Sequence, residues 1–234
     1  MIVYGRNPVR EALRGRRRVN RVYATDRAAR EVFLGDVEWE RAQPWEIQDR
    51  CDSPDHQGIC AEVQAYPYAN AHDLLAREDA LVICLDEVQD PHNLGAVCRV
   101  AEAAGCAGVV LPERRSAEVT PAVCRASAGA VEHLSVARVR NLADWLAEAK
   151  QREAWVYGAA ADARVPYDRP DYRGRVVVVL GSEGRGLRPR VAAACDELVF
   201  LPTPGNLSSL NVSTAAAALV YGILQFRKRL DRAP

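Results

Sequence analysis

The chain has 234 residues, of which 49% are hydrophobic and 26% charged; this is ordinary globular usage and excludes a disordered chain. Its 31 basic and 31 acidic residues cancel, so no net field selects a partner. The cancellation is uneven: residues 1–30 hold nine arginines against Glu11 and Asp26, whereas residues 31–68 hold Arg41 and Arg50 against nine acids, which places a basic patch beside an acidic one.

In the N-terminal third, Asn7-Pro8 predicts a helix start, with Asn as cap and Pro in the first turn, and the helix ends near Gly15. Arg16, Arg17 and Arg18 follow in a loop, then strands at 19–24 and 58–63. The stretch AYPYANAHD mixes Pro, Asn and small residues, as linkers do. The expected organisation is a small α/β domain over 1–68, a linker over 69–79 and a second domain over 80–234. The opening MIVYGRNPVREALRG has no apolar leader core, and the longest apolar stretch, 215–224, is too short to span a bilayer; both predict a cytoplasmic protein without a membrane partner. Seven cysteines without a CxxC pair, and four scattered histidines, predict reduced thiols and no metal site.

From Ala80 the rhythm changes. LVICLD (81–86) is a continuous apolar run, as expected of a strand buried on both faces. A helix is predicted over 94–104 with Asn93 as cap and Gly105 just past its end, then a strand at 108–111 and a helix from Thr120-Pro121. A strand at 133–136 precedes a helix from Asn141 to Lys150. Strands at 155–158, 176–180 and 198–201 follow, with a short helix at 189–195 and a long last helix to about 230. Such alternation predicts an α/β fold with a parallel sheet covered on both faces.

Three segments carry candidate chemistry. DPHNLGAVCRVAEAAG (90–105) lies where a strand hands over to a helix, the usual ligand position in open α/β sheets. Leu94, Val97, Ala101 and Ala104 form its buried stripe, and Arg99 falls off that stripe. VVVVLGSEGRGLRP (176–189) runs a strand into Gly181, Gly184 and Gly186 around Glu183. Its glycine order, GxxGxG, is not the dinucleotide fingerprint, which argues against a nicotinamide-dependent oxidoreductase. In LPTPGNLSSLNVST (201–214), Ser208, Ser209 and Asn211 cluster at a helix start that needs only one cap. Beyond it Val212, Ala216, Leu219, Ile223, Phe226 and Leu230 form a core or dimer-seam stripe.

Together these segments resemble the three motifs of the SpoU (TrmH-type) family of RNA 2′-O-ribose methyltransferases: NxGxxxR as Asn93, Gly95 and Arg99; LGSEGRGL (180–187); and SLNVS (209–213) before an Ala-rich helix. YGRNPVREAL near the start, HQGICAEV (56–63) and the stretch 114–146 resemble the RlmB-type branch, which methylates a guanosine ribose of 23S rRNA. One departure is Pro202-Thr203, where the family often has Pro-Met. The resemblance implies a SPOUT-type parallel sheet with a C-terminal trefoil knot, a small N-terminal RNA-binding α/β domain, and a homodimer with no metal. It implies S-adenosylmethionine as cofactor, held by Gly158, Gly181, Leu201 and Leu210, and a catalytic set of Asn93, Arg99, Glu183, Ser209 and Asn211. Arg99 is open between general base and phosphate anchor, since a guanidinium normally stays protonated. Arg14, Arg16, Arg17, Arg18 and Arg21 are the expected RNA-docking residues, through phosphate contacts that position without reading sequence. A tRNA ribose methylase, or a non-catalytic RNA-binding protein on the same scaffold, are the competing readings.

Overall fold

A computed structural model describes residues 1–32, 34, 37–206 and 209–230. In the N-terminal part, β1 (Ile2–Tyr4), α1 (Arg6–Arg14), β2 (Val19–Ala24), α2 (Asp26–Val32), β3 (Glu40–Arg41), α3 (Pro44–Cys51) and β4 (Ile59–Val63) make a four-stranded sheet in the order β1-β4-β2-β3. Helix α1 begins two residues earlier than Asn7-Pro8 suggests, with Gly5, at φ 92°, and not Asn7 at the cap position. Helix α2 spans the change from the basic to the acidic stretch and α3 lies within the acidic one; both are short, and neither has an apolar period long enough to announce itself. Pro44 and a reciprocal pairing of Gln43 with Glu46 start α3.

The second part contains β5 (Leu81–Asp86), α4 (Pro91–Ala103), β6 (Gly108–Pro112), α5 (Pro121–Ala126), β7 (Val136–Val139), α6 (Leu142–Gln151), β8 (Ala154–Ala159), β9 (Val165–Pro166), β10 (Arg175–Gly181), α7 (Pro189–Ala194), β11 (Glu197–Phe200) and α8 (Val212–Leu230). Its seven strands run in the order β7-β6-β5-β10-β8-β11-β9, and every neighbouring pair is parallel. The strand expected at 133–136 begins only at Val136; residues 133–135 are irregular backbone following a short 3-10 turn over 130–132.

Side chains alternate between two cores. Leu81, Ile83, Leu85, Val176, Val178 and Leu180 face α4 and α8, while Val82, Cys84, Val177 and Val179 face α6. On α8, Val212, Ala216, Leu219 and Ile223 are buried in the first of these cores, so most of that stripe is spent inside the chain. Leu230's side chain lies outside the described residues. The central strands β5 and β10 are paired from Val176 with Leu81 to Gly181 with Asp86. Their connections leave in opposite directions, toward β6 on one side and β11 on the other, which makes a topological switch point between them. Strand β11 enters between β8 and β9: Val199 pairs with Ala159 on one flank and with Val165 on the other.

The two sheets share one core. Val3, Val9, Ala12 and Ile59 belong to the same buried cluster as Val123, Cys124 and Val131. The end of the N-terminal part, just before the expected linker, is also tied down. The Tyr66 hydroxyl donates to the Leu134 carbonyl at 2.6 Å and accepts from the Val136 amide at 3.2 Å, and the Tyr68 hydroxyl accepts from the Val119 amide at 2.9 Å.

Candidate active site

The carboxyl ends of β5, β10 and β11 lead into the three segments singled out from the sequence, so all three open on one edge of the sheet. Their polar side chains meet. Asn93 Nδ2 donates to Glu183 Oε1 at 3.0 Å; Asn211 Nδ2 donates to Asn93 Oδ1 at 2.9 Å and to Glu183 Oε1 at 2.5 Å. Asn93 is buried, and the triangle sits over the β5/β10 switch point, where ligands bind in open α/β sheets. Each corner has a structural reason for its place. Asn93 lies in the first turn of α4, which is capped by Asp90 and not by Asn93: Asp90 Oδ1 accepts from the His92 amide at 2.9 Å. That leaves the Asn93 amide group available for the site. Asn211 Oδ1 caps α8 by accepting from the Ser213 amide at 2.8 Å, and the same side chain uses its Nδ2 toward Glu183. Glu183 stands on a loop folded back on itself, with the Gly186 amide donating to the Ser182 carbonyl at 2.9 Å. A Cβ on Gly181 would lie 2.1 Å from the Gly186 carbonyl carbon, so only glycine permits this backbone approach.

The other expected site residues are placed differently. Arg99 is exposed on α4 and makes no hydrogen bond or ion pair among the described residues. Ser209 is exposed in the 201–211 turn, and Ser208 lies outside the described residues. Leu201 is half-buried against the core, whereas Leu210 presents an apolar side chain 42% exposed. Gly158 is buried inside β8, where Leu187, Leu198 and Cys195 crowd the position of a Cβ; its glycine identity is explained by packing.

Two residues next to the triangle were not among the candidates. Asp86 is fully buried at the end of β5, and its carboxylate accepts from the Arg188 amide at 2.9 Å and from Arg188 Nε at 2.8 Å. Glu87, at φ 58°, lies 3.5 Å from the same guanidinium. They fasten the far end of the 182–188 loop to the strand beside it. The available signal was the acid closing an otherwise apolar run.

The arginines expected to dock RNA divide. Arg14, Arg16, Arg18 and Arg21 are exposed. Arg17 is not: it is buried, its Nε donates to Glu132 Oε2 at 2.8 Å, and its Nη2 meets Glu132 Oε1. Burial acts to lower the Arg17 pKa, but the bond and charge of Glu132 outweigh it and hold the value above the ordinary arginine range. Arg17 therefore joins the two domains and is withdrawn from the RNA-docking set.

Burial pushes the thiols of Cys60, Cys98, Cys106, Cys124 and Cys195 up to about 12, so these cysteines are packing residues and not nucleophiles. Among the described residues no helix is long and apolar enough to cross a membrane.

A parallel sheet with amide and carboxylate side chains gathered at its switch point defines an α/β enzyme working on a ligand held at the strand ends. Comparison with known proteins gives the class a name. Residues 80–221 match the SpoU rRNA Methylase family, and residues 2–69 match the domain described as RNA 2′-O ribose methyltransferase substrate binding. The Bacillus subtilis (strain 168) protein YacO, whose name places it provisionally among TrmH family tRNA/rRNA methyltransferases, is 38% identical over 239 residues, spanning 97% of this chain and 95% of its own. The structure of the SpoU methyltransferase AviRb from Streptomyces viridochromogenes, in complex with AdoMet, superposes with a TM-score of 0.80 at 26% identity, over 98% of this chain and 90% of that one. The A. aeolicus TrmH/SpoU tRNA modifying enzyme superposes with a TM-score of 0.60 at 25% identity, over 68% of this chain and 80% of that one. The chain belongs to the SpoU rRNA methylase family: it is an RNA 2′-O-methyltransferase, of a family that uses S-adenosylmethionine.

Proposed function

We propose that this enzyme methylates the ribose 2′-hydroxyl of a guanosine in 23S rRNA, acting in the cytoplasm as a homodimer with a knotted C-terminal part. The carrying observation is the Asn93–Glu183–Asn211 triangle, which joins the three motif segments at one switch point. The rRNA assignment is favoured over tRNA by the family matched over 80–221 and by a substrate-binding domain over 2–69. The tRNA modifying enzyme, by contrast, aligns with 68% of the chain. The entry of β11 between β8 and β9 supports threading of the C-terminal part. The exposed Leu210 and Tyr221 leave apolar surface for a second copy.

The residues present fit S-adenosylmethionine. Gly181 provides a backbone cradle, and at Gly184, Gly186 and Gly205 a Cβ would meet no heavy atom within 4 Å among the described residues, so both loops leave room there. When bound, the cofactor supplies a methyl group already activated as an electrophile. Gly181, Leu201 and Leu210 would hold it, chiefly through backbone groups; Gly158 supports that wall by letting Leu187 and Leu198 close over β8. Asn93 and Asn211 both fix the Glu183 carboxylate, so the carboxylate orients the ribose rather than swinging in solvent. Such positioning of reacting groups is worth roughly 7–11 kcal/mol in favourable cases. Arg99 and Ser209 lie free to engage the RNA. A guanidinium normally stays protonated, so Arg99 is read as the phosphate anchor that makes the hydroxyl easier to ionise, with the hydroxyl proton passing to water as the methyl group is transferred. Arg14, Arg16, Arg18 and Arg21 dock the RNA backbone.

The test is transfer of labelled methyl from S-adenosylmethionine to separated 23S, 16S and tRNA transcripts, followed by mapping of ribose-methylated positions. Label at one guanosine ribose of 23S rRNA is expected. Label confined to tRNA overturns the rRNA assignment, and no transfer despite calorimetric cofactor binding overturns the catalytic one.

A further inference from the structure

The seam between the two domains holds a groove of about 510 Å³ that none of the roles above uses. Tyr4, Asn7 and Gln57 come from the N-terminal domain; His92, Ala122 and Arg125 come from α4 and α5. This volume falls in the range of ligand sites. One of its lining residues, His92, is the sequence neighbour of Asn93 in the active site. His92 is exposed and Asn93 buried in the same first turn of α4, and adjacent Cα atoms are only about 3.8 Å apart. α4 starts from the carboxyl end of β5, so groove and triangle open on the same edge of the sheet.

The chemistry of the walls is that of a nucleotide site. The Arg125 guanidinium stands 5.7 Å from the centre of the Tyr4 ring. It makes no hydrogen bond among the described residues, and its one acidic neighbour, Asp55, is 3.9 Å away on a side chain 70% exposed. An arginine with most of its five donors unused, beside a half-exposed aromatic ring, can take a phosphate and stack a base together. Gly5 keeps this arrangement open: its φ is 92°, and a Cβ there would lie 2.7 Å from Arg125 Nη1. Gly5 belongs to the YGRNPVREAL stretch and Arg125 to the 114–146 stretch, so two distant parts of the sequence build one feature.

We infer that this seam groove binds the RNA strand next to the methylated nucleotide, with Arg125 on a phosphate and Tyr4 against a base. The inference rests on the RNA-methylating function proposed above. It is a specificity site: it lies beside the triangle, not in it, and sets which strand geometry can present a ribose to Asn93 and Glu183.

The experiment uses the full chain with its RNA substrate and compares Arg125→Ala, Arg125→Lys and Ala122→Glu. Ala122 lies in the first turn of α5, where an added acid suits the helix dipole, so this variant plants a repelling charge in the groove without weakening the helix. Arg125→Ala and Ala122→Glu are expected to raise KM for RNA about tenfold with kcat changed less than twofold. The slope of log affinity against log salt should become shallower by about one for Arg125→Ala. Arg125→Lys should restore that slope, and calorimetric binding of S-adenosylmethionine should be unchanged in all three. If Arg125→Ala fails to fold, Ala122→Glu carries the decision alone. Folded variants with unchanged RNA affinity and salt slope overturn the groove, while the wild type still methylates. A wild type that methylates no RNA overturns the underlying function instead.

Discussion

His56 shows how one side chain can couple this fold to pH. It is buried, and its Nδ1 accepts from the Gly58 amide at 2.9 Å, so that nitrogen carries no proton in the folded chain. Burial disfavours the charged ring and lowers its pKa below the usual 6.5. As pH falls through 6.5 the unfolded chain takes up the proton first, so the contribution of His56 is complete above that value and is lost below it. Urea unfolding between pH 5 and 8 should show stability declining on the acid side. His56→Asn, whose oxygen can accept the same amide, should flatten the decline. At this scale the sequence was informative where a residue type had few alternatives. Asn93, Glu183 and Asn211 stood beside glycines at strand ends, and they do meet. It was uninformative where a partner lay far along the chain: Arg17 reads as one of three loop arginines because Glu132 is 115 positions away.

Helix α8 depends at its start on a side chain that also belongs to the site. Asn211 caps the helix with its oxygen and holds Glu183 with its nitrogen. Substitutions can separate the two roles. Asn211→Ala should lower stability by about 1 kcal/mol through the lost cap and reduce methyl transfer as well. Asn211→Asp keeps a capping oxygen but replaces the donor with a charge facing Glu183. It should stay folded within a few degrees of the wild-type Tm while methyl transfer falls about a hundredfold. Thermal unfolding and single-turnover transfer distinguish the two. Elements with long apolar runs were legible to the residue, as in the strand over 81–86, and those with weak periodicity were not. α2 and α3 carry few buried positions, and β9 is only two residues long, so neither pattern rises above its surroundings.

At the scale of the whole molecule, a buried ion pair crosses the domain seam alongside the shared apolar core. Arg17 also donates to the Gln64 carbonyl at 3.2 Å, so the guanidinium ties the loop after α1, the end of β4 and the 130–132 turn together. Removing one member of such a pair leaves an uncompensated buried charge. Arg17→Met is expected to cost about 3–5 kcal/mol in urea unfolding, and Arg17→Met combined with Glu132→Leu should recover most of it. A double variant no more stable than the single one would contradict this account. The parallel sheet was legible from alternation of strands and helices. The docking of the N-terminal sheet was not, because its contacts involve Gly5, Gly15 and Gly129, whose close approaches leave no periodic trace.

Strand β11 takes its place between two strands made earlier along the chain, and Asn211 follows it after the 201–210 segment. Ribosomal synthesis delivers residues in order, so the Asn93 and Glu183 corners emerge well before the third can join them. A nascent chain paused before that point would carry two corners of the triangle without the third, and would lack the α8 side chains that complete the core shared by both sheets. Closure of the triangle therefore waits on the last-made of its three corners, although the segments that carry the other two lie up to 118 positions earlier along the chain.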